Sequence, residues 1–237
     1  MEKFRTLKAD EIDCRVSQIA SNWCSLLLYK DARCDMNILD EAVGPMNWER
    51  SHTRDNANCT VSIYDESKKE WVSKEDTGTE SYTEKEKGLA SDSFKRACFN
   101  WGIGRELYTA PSIFIFPRKD MISKGKQPEF YDKGNGKYET KTRFYVELID
   151  YDENKCIKDL IIRDHKNNIR FTKLTKETEK KLSENLMKMK KLIELREEKD
   201  TDFNRANLYK YYDVESDSQL TNKQVEEVIN LLEKKEK

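Results

Sequence analysis

The chain has 237 residues, and its 44 Lys and Arg nearly balance its 45 Asp and Glu, which gives a formal net charge of −1. This balance excludes a uniformly basic nucleic-acid binder, so any site for nucleic acid has to be a local basic patch. Charged residues reach 38% against a usual share of about 25%, while aromatic residues at 10% supply enough bulk for a packed core.

Residues 10–43 are predicted to be helical, with a break near residues 29–35. Apolar residues recur at steps of three and four along the first part of this stretch. They are Ile12, Val16, Ile19, Ala20, Trp23, Leu26 and Leu27. The shorter helix after the break is expected to end at Gly44 and Pro45.

After residue 45 the hydrophobic period changes to two, which predicts β-structure. Cys59, Val61 and Ile63 alternate with more polar neighbours, and after a polar turn a second alternating run covers residues 70–79. Two such runs joined by a polar turn predict a β-hairpin. Residues 46–52 are expected to add a third strand, so that the three strands form a meander.

A helix is predicted from Thr83 to about Trp101. Thr83 and Glu86 have the spacing of a capping box, in which a hydroxyl and a carboxylate satisfy the first backbone N–H groups. The apolar side chains fall on one stripe about 100° wide. They are Ala90, Phe94, Ala97, Cys98 and Trp101, and the charged residues opposite are Lys85, Asp92 and Arg96.

The middle of the chain is predicted to contain extended and irregular segments. Residues 110–117, bounded by prolines, form a short extended segment, and residues 120–141, rich in Gly and Lys, form a mobile loop. Residues 142–152 and 155–164 form a second hairpin. The order of helix, three strands, helix, loop and two strands predicts an α+β fold rather than alternating βαβ units.

The C-terminal part of the chain is predicted to be all helical. A highly charged helix comes first, and its narrow apolar stripe is Leu182, Leu186, Met189 and Ile193. Two short helices follow, the last beginning at a capping box of Thr221 and Gln224. Its stripe is Val225, Val228, Ile229 and Leu232. We therefore divide the chain into a core (1–170), a charged linker helix (171–200) and a helical C-terminal module (201–237).

Gly102 and Gly104 follow the predicted helix and raise the question of a nucleotide site. A dinucleotide-binding fingerprint needs a third glycine, in a turn that leads from a strand into a helix. Here the third position is Leu107, and the glycines come after a helix. The sequence therefore predicts that they end that helix, and because no P-loop is present we expect no nucleotide cofactor.

The sequence offers little for metal or redox chemistry. The six cysteines form no Cys-x-x-Cys pair, and the two histidines are His52 and His165, so we expect no zinc site. Free thiols fit small core residues in a reducing cytoplasm. The polar N-terminal stretch and the lack of an apolar run of about 20 residues predict no signal peptide and no membrane span.

A basic patch is predicted around the hairpin and the helix that follows it. Its cations are Lys74, Lys85, Lys87, Lys95, Arg96 and Arg105, and the aromatic residues near them in sequence are Trp48, Trp71, Tyr82 and Tyr108. Cations that follow phosphates, interleaved with flat side chains, suit single-stranded nucleic acid. The alternative is a solvated helix face on which Asp92 and Arg96 pair across one turn.

Two other functions stay open on the residues alone. Asp76 and Glu80 are placed as the acids of a metal-dependent nuclease would be. The helical C-terminal module, taken by itself, suits a non-catalytic adaptor. The two isolated histidines give no evident nucleophile–base pair, so hydrolysis through a nucleophile and a base is not expected.

Residues 71–79 (WVSKEDTGT) and 84–108 (EKEKGLASDSFKRACFNWGIGRELY) resemble the phage Sak-type branch of the Rad-fifty-two superfamily of single-strand annealing proteins. Residues 39–52 (LDEAVGPMNWERSH) match as well, and the likeness covers roughly residues 8–165. Its most specific part is the block Lys-x-x-x-Ser-Asp-x-Phe-Lys-Arg-Ala from Lys87 to Ala97.

The resemblance implies a β-β-β-α annealing core, in which an antiparallel sheet packs on a long helix. It also implies assembly into homo-oligomeric rings or helical arcs. Such proteins bind single-stranded DNA in a basic groove and anneal complementary strands in phage homologous recombination and repair. They use no cofactor, no nucleotide hydrolysis and no catalytic residue.

The family's DNA contacts carry over to this chain residue by residue. Lys95 and Arg96 match the basic pair that grips phosphate, Lys87 matches the basic residue eight positions earlier, and Arg33 is a further expected contact. Arg105, in the Gly-Ile-Gly-Arg turn, is expected to bind DNA or to pair across a subunit interface. Two more contacts are assigned from the patch alone, and they are Lys74 and Lys85.

The C-terminal module resembles helical modules that phage annealing proteins use to recruit partners. Such partners are the host single-strand binding protein or a phage exonuclease. The alternative is a solvated helical tail that supports oligomerisation. The expected location is the cytoplasm of the host bacterial cell.

Overall fold

The computed structural model describes residues 4–79, 85–118, 128–199 and 204–234, and its elements are of mixed α+β type, as predicted. The helices are α1 (Ala32–Val43), α2 (Lys85–Trp101), α3 (Lys176–Lys199), α4 (Arg205–Tyr212) and α5 (Asn222–Lys234). The strands are β1 (Asp13–Ile19), β2 (Cys24–Tyr29), β3 (Trp48–Thr53), β4 (Asn58–Asp65), β5 (Glu70–Thr77), β6 (Ile113–Ile115), β7 (Tyr131–Asp132), β8 (Tyr138–Glu139), β9 (Phe144–Tyr151), β10 (Ile157–Asp164) and β11 (Ile169–Lys173).

The chain divides into two compact units. Unit 1 comprises Met1–Arg15, Leu27–Pro111 and Tyr151–Ile157, and unit 2 comprises Val16–Leu26, Ser112–Asp150 and Lys158–Lys237. Residues 158–237 all belong to unit 2, and the division into a core (1–170), a linker helix (171–200) and a C-terminal module (201–237) stays a prediction.

Strands β3, β4 and β5 form an antiparallel sheet in unit 1, which confirms the predicted meander. The central strand β4 buries Cys59, Val61 and Ile63, the residues whose alternation predicted it. Helix α2 packs on β4 and β5, where the indole N–H of Trp101 donates to the carbonyl oxygen of Val61 at 3.0 Å. Unit 1 therefore contains three antiparallel strands followed by a helix that covers them.

Helix α2 ends at the glycine that the sequence singled out. Gly102 has φ +100°, its N–H donates to the carbonyl oxygen of Phe99 at 3.0 Å, and the next N–H, of Ile103, donates to that of Cys98 at 3.1 Å. These two bonds satisfy carbonyls that a helix end leaves free. The predicted helix end is confirmed, whereas the capping box at Thr83 lies outside the described residues.

The helix predicted for residues 10–30 is wrong, because strands β1 and β2 occupy most of this stretch. The two strands are joined by a tight turn in which the Ala20 N–H donates to the carbonyl oxygen of Trp23 at 2.8 Å. Cys24 and Leu26 are buried while the residue between them is less so, which is the two-residue period of a strand. Backbone pairing with strands distant in sequence prevailed over the local helical spacing.

The second part of the predicted helix is present as α1. Asp31 caps its first turn by accepting from the Cys34 N–H at 2.9 Å. The helix ends at Gly44, which has φ +83°, as predicted.

Unit 2 contains most of a six-stranded sheet with the order β11-β10-β9-β1-β2-β6. The hairpin of β9 and β10 and the extended segment β6 were predicted, whereas β11 was not. The loop predicted at 120–141 contains the two-residue strands β7 and β8, which pair with each other, and residues 119–127 lie outside the described part.

The helices of unit 2 confirm the predicted C-terminal stripes. Helices α3 and α5 pack together with the segment between them around a common core. Its buried members are Met189, Ile193, Val214, Leu220, Val225, Val228, Ile229 and Leu232. The capping box is formed as predicted, because the Thr221 N–H donates to Gln224 Oε1 at 2.8 Å and the Gln224 N–H to Thr221 Oγ1 at 3.3 Å.

Arg163 of β10 connects the helical module to the sheet of the same unit. Its guanidinium donates to the carbonyl oxygens of Ser218 and Leu220, both at 3.0 Å, and forms a buried ion pair with Glu147. Glu147 also accepts from the Asn222 N–H at 2.6 Å, at the start of α5. The module is therefore anchored by buried charge-assisted bonds to the strands beneath it.

All six cysteines carry free thiols, and Cys24, Cys34, Cys59 and Cys98 are buried as the sequence predicted. Burial raises the pKa of the Cys59 thiol to about 11 and that of Cys34 to about 12. Within the described ranges, no helix combines the length and the apolar character needed to cross a bilayer.

Candidate functional site

A pocket of about 330 Å³ lies within unit 1, beside helix α2. Strands β1 and β2, helix α2 and the turn after α2 all contribute to its wall. Four cations among the described residues line it, and they are Arg15, Lys30, Lys95 and Arg96. Asp92 is the carboxylate among its described lining residues, so the wall carries an excess of positive charge.

Among the predicted site residues whose side chains the structure describes, Lys95 and Arg96 line this pocket. The Arg96 side chain is 42% exposed, and its Nε lies 3.5 Å from Asp76 Oδ1. Asp92 does not pair with Arg96 as the solvated-face alternative proposed, but accepts from the N–H and the hydroxyl of Thr79 at 2.9 and 3.2 Å. Lys95 has no ion-pair partner in the part of the chain that the structure describes, so its ammonium is available to an anion.

Three aromatic rings lie among these cations, from Tyr29, Phe99 and Tyr108. Tyr108 is 74% exposed and meets the Phe99 ring edge to face, with the centroids 5.3 Å apart. The guanidinium carbon of Arg15 lies 6.0 Å from the centroid of the Tyr29 ring. An exposed ring beside a cation offers a surface on which a planar group can stack.

Sequence reasoning missed Arg15, Tyr29 and Lys30, because it assigned residues 10–30 to a helix. The signal that would have found them is the polar turn at Ser21 and Asn22 between two short runs, which is typical of a hairpin. Once β1 and β2 are strands, Arg15 and Tyr29 lie on the same pocket wall.

A buried ion pair lies at one side of the pocket. The ammonium of Lys30 forms a hydrogen bond to Oδ1 of Asp35, and both side chains are almost completely buried, with exposures of 1% and 0%. The same ammonium lies 4.6 Å from the centroid of the Phe99 ring. Gly104 packs against this lysine so closely that a Cβ there would lie 2.1 Å from Lys30 Cε.

Lys74 and Arg105, both predicted to contact DNA, bind backbone carbonyls at the end of α2. The Lys74 ammonium donates to the Asn100 carbonyl oxygen at 2.7 Å and lies 4.5 Å from the Trp101 ring centroid. Arg105 donates to the carbonyl oxygens of Asn100 and Phe99, the former at 2.9 Å. Cations at this position also complement the negative end of the helix dipole.

Arg33 is not among the described residues that line the pocket. Arg33, in the first turn of α1, is 85% exposed and pairs with Asp31 at 2.7 Å. Lys85 and Lys87 belong to the first turn of α2, and their side chains lie outside the described part of the chain, as does Glu80. Their contact with DNA stays a prediction.

Asp76, the other acid of the nuclease alternative, is engaged with neighbouring residues. It lies beside Arg96, and its Oδ2 accepts from the side-chain amide of Asn100 at 3.3 Å. Among the described residues no group of three or more His, Cys, Asp or Glu side chains is arranged to hold a metal ion.

Comparison of this chain with family models, with curated proteins and with solved structures finds no match. The candidate site therefore rests on the residues and the geometry described above.

Proposed function

We propose that this chain binds single-stranded DNA at the pocket of unit 1 and anneals complementary strands without a cofactor or nucleotide hydrolysis. One observation carries the proposal. Lys95 and Arg96, the basic pair of the most specific sequence block, line a pocket together with the rings of Tyr29, Phe99 and Tyr108. Phosphate-binding cations beside flat stacking surfaces are what proteins use to hold a single strand.

The mechanism follows from the charge of the strands. Two complementary strands repel each other through their phosphates, and cations that neutralise one backbone reduce this repulsion. A strand held along its phosphates keeps its bases available for pairing, so complementary bases find their register without an external source of free energy. We expect the affinity to fall steeply with salt, because each phosphate contact releases condensed counterions.

The resemblance to the Sak-type branch of the Rad-fifty-two superfamily supports the same function. Under this proposal the three antiparallel strands and helix α2 are the β-β-β-α annealing core, and copies of the chain assemble as a ring or helical arc. Helices α3 to α5 recruit a partner such as the host single-strand binding protein or a phage exonuclease. The protein acts in recombination and repair in the cytoplasm of the bacterial host, as a binding protein rather than an enzyme.

The first test is annealing of two complementary oligonucleotides by the purified full chain, without ATP or divalent metal. The proposal requires faster duplex formation than in the protein-free reaction, with both strands recovered at full length. An unchanged rate would refute it, and magnesium-dependent shortening of a labelled strand would favour the nuclease alternative instead.

The second test removes the two pocket cations in the variant Lys95→Ala/Arg96→Ala. We expect an affinity for single-stranded DNA at least about tenfold lower, and a salt dependence reduced by about one contact per removed cation. Lys190→Ala/Lys191→Ala is the matched control, because it removes two adjacent exposed helical lysines from α3 in unit 2. If the two variants bind single-stranded DNA with equal affinity, the pocket is not the DNA-binding site.

A further inference from the structure

The buried Lys30–Asp35 pair leaves one carboxylate oxygen without a partner. Oδ1 of Asp35 accepts from Lys30, whereas Oδ2 is buried and has no hydrogen-bond partner within the described residues. An unpaired buried carboxylate oxygen is unfavourable when the group is ionised and is relieved when the oxygen binds a proton. Lys30 itself lines the pocket, so the charge state of its partner bears on the pocket's potential.

Charged and titratable groups face Asp35 from its own segment and from helix α2. Lys30, Asp31 and Cys34 lie on its own segment, and Lys95 and Cys98 lie on α2. Burial favours the neutral carboxyl most strongly, Asp31 adds to this effect, and the cations Lys30 and Lys95 oppose it. The net result is that burial raises the pKa of Asp35 from its usual 3.8 to about 6.

We propose that Asp35 takes up a proton when a nucleic-acid phosphate binds at Lys95 and Arg96, so that Lys30 becomes an uncompensated cation of the pocket. The inference rests on the proposed function and adds to it a residue that touches no DNA. The proton comes from a buffer acid and forms an O–H bond at Oδ2, while Oδ1 keeps its hydrogen bond from Lys30. Asp35 thus acts as a positioning residue that sets the charge available to the strand.

The sign of the effect follows from like charges. A phosphate at Lys95 adds negative charge near a carboxylate, and it therefore favours the protonated carboxyl. One negative charge about 10 Å away, at an effective dielectric constant of about 20, shifts that protonation equilibrium about tenfold. Because the bound state then holds more protons, DNA affinity is expected to fall about tenfold as the pH rises from about 5 to about 8.

The experiment measures proton uptake directly on the unmodified full chain. Calorimetric titration with an oligothymidylate, in buffers of different ionisation enthalpy at each pH, gives the number of protons bound with the strand. At a tenfold coupling the uptake reaches about half a proton per occupied pocket at its maximum. DNA binding without any proton uptake overturns the inference, whereas absence of DNA binding at every pH is a failure of the proposed function.

Two variants assign the proton to Asp35. Asp35→Asn is expected to bind DNA with no uptake, and Lys30→Met/Asp35→Leu serves the same purpose if the first does not fold. Replacing a buried ion pair by apolar residues of similar shape is usually tolerated. Asp31→Asn is the control that keeps the uptake, because asparagine also caps a helix and the pKa of Asp31 lies below its usual value. If a folded variant without the Asp35 carboxylate takes up as many protons on DNA binding as the unmodified chain does, the proton is not bound by Asp35.

Discussion

Replacing Gly104 with alanine is expected to destabilise unit 1 far more than the same replacement at Gly102. Both glycines have positive φ, +77° and +100°, so each alanine pays about 1–2 kcal/mol for the left-handed region. At Gly102 a Cβ would have nothing within 4 Å, whereas at Gly104 it would lie 2.1 Å from Lys30 Cε and 3.1 Å from the Phe99 ring. Lys30 can yield only by breaking its buried pair with Asp35, and such a loss costs about 3–5 kcal/mol.

The assay is urea unfolding of both variants at one protein concentration, followed by far-UV circular dichroism. We expect Gly104→Ala to lower the free energy of unfolding by about 3 kcal/mol more than Gly102→Ala does. In the Lys30→Ala/Asp35→Leu background the difference between the two substitutions should shrink to the smaller cost of the approach to the Phe99 ring, because the Lys30 side chain is gone. Equal losses in the natural background would refute the close approach of Gly104 to Lys30.

Three further predictions concern single side chains. Because burial raises the pKa of Asp35 to about 6, protonation of this carboxyl contributes about 3 kcal/mol to the free energy of unfolding below pH 3.8, and this contribution is lost as the pH rises through about 6. In Asp35→Asn this part of the pH dependence of urea unfolding should vanish. The same pH dependence in that variant would contradict the prediction. Lys74→Ala should lower the free energy of unfolding by about 1–2 kcal/mol through loss of a hydrogen bond and a cation–π contact. It should weaken oligonucleotide binding less than Lys95→Ala does. Equal weakening would show that Lys74 contacts the DNA. Arg163→Met leaves the buried Glu147 carboxylate without its cation, so the free energy of unfolding should fall by about 3–5 kcal/mol. Limited proteolysis should then release the C-terminal helices sooner, and an unchanged cleavage rate would show that Arg163 does not anchor them.

The parts of the fold that the sequence predicted are those determined by neighbours in the chain. Strand β4 follows from an alternation whose apolar members Cys59, Val61 and Ile63 are all buried. Helix α2 ends at Gly102 because a left-handed residue is needed there, and glycine adopts that conformation at least cost. The capping box of Thr221 and Gln224 likewise depends only on residues three apart.

The β1–β2 segment could not be predicted in the same way, because its structure depends on distant partners. β1 pairs with β9 and β2 with β6, strands more than 80 residues further along the chain. The spacing of Val16 and Ile19 satisfies a helix as well as it does two half-buried positions of strand β1. Only the pairing with β9 and β6 decides between helix and strand. The same pairing places Arg15 and Tyr29 on the pocket wall.

What distinguishes the cations of the predicted patch from one another is the partner that each one has. Lys74 and Arg105 both donate to the carbonyl oxygen of Asn100, and these bonds stabilise the end of α2 whether or not a strand is present. Lys95, one turn earlier on the same helix, has no such partner among the described residues and faces the pocket beside Arg96. A count of basic residues cannot make this distinction, since all four contribute equally to net charge. Affinity for a polyanion should follow the cations whose charge no protein group already uses, and on this reasoning the binding energy is concentrated at Lys95.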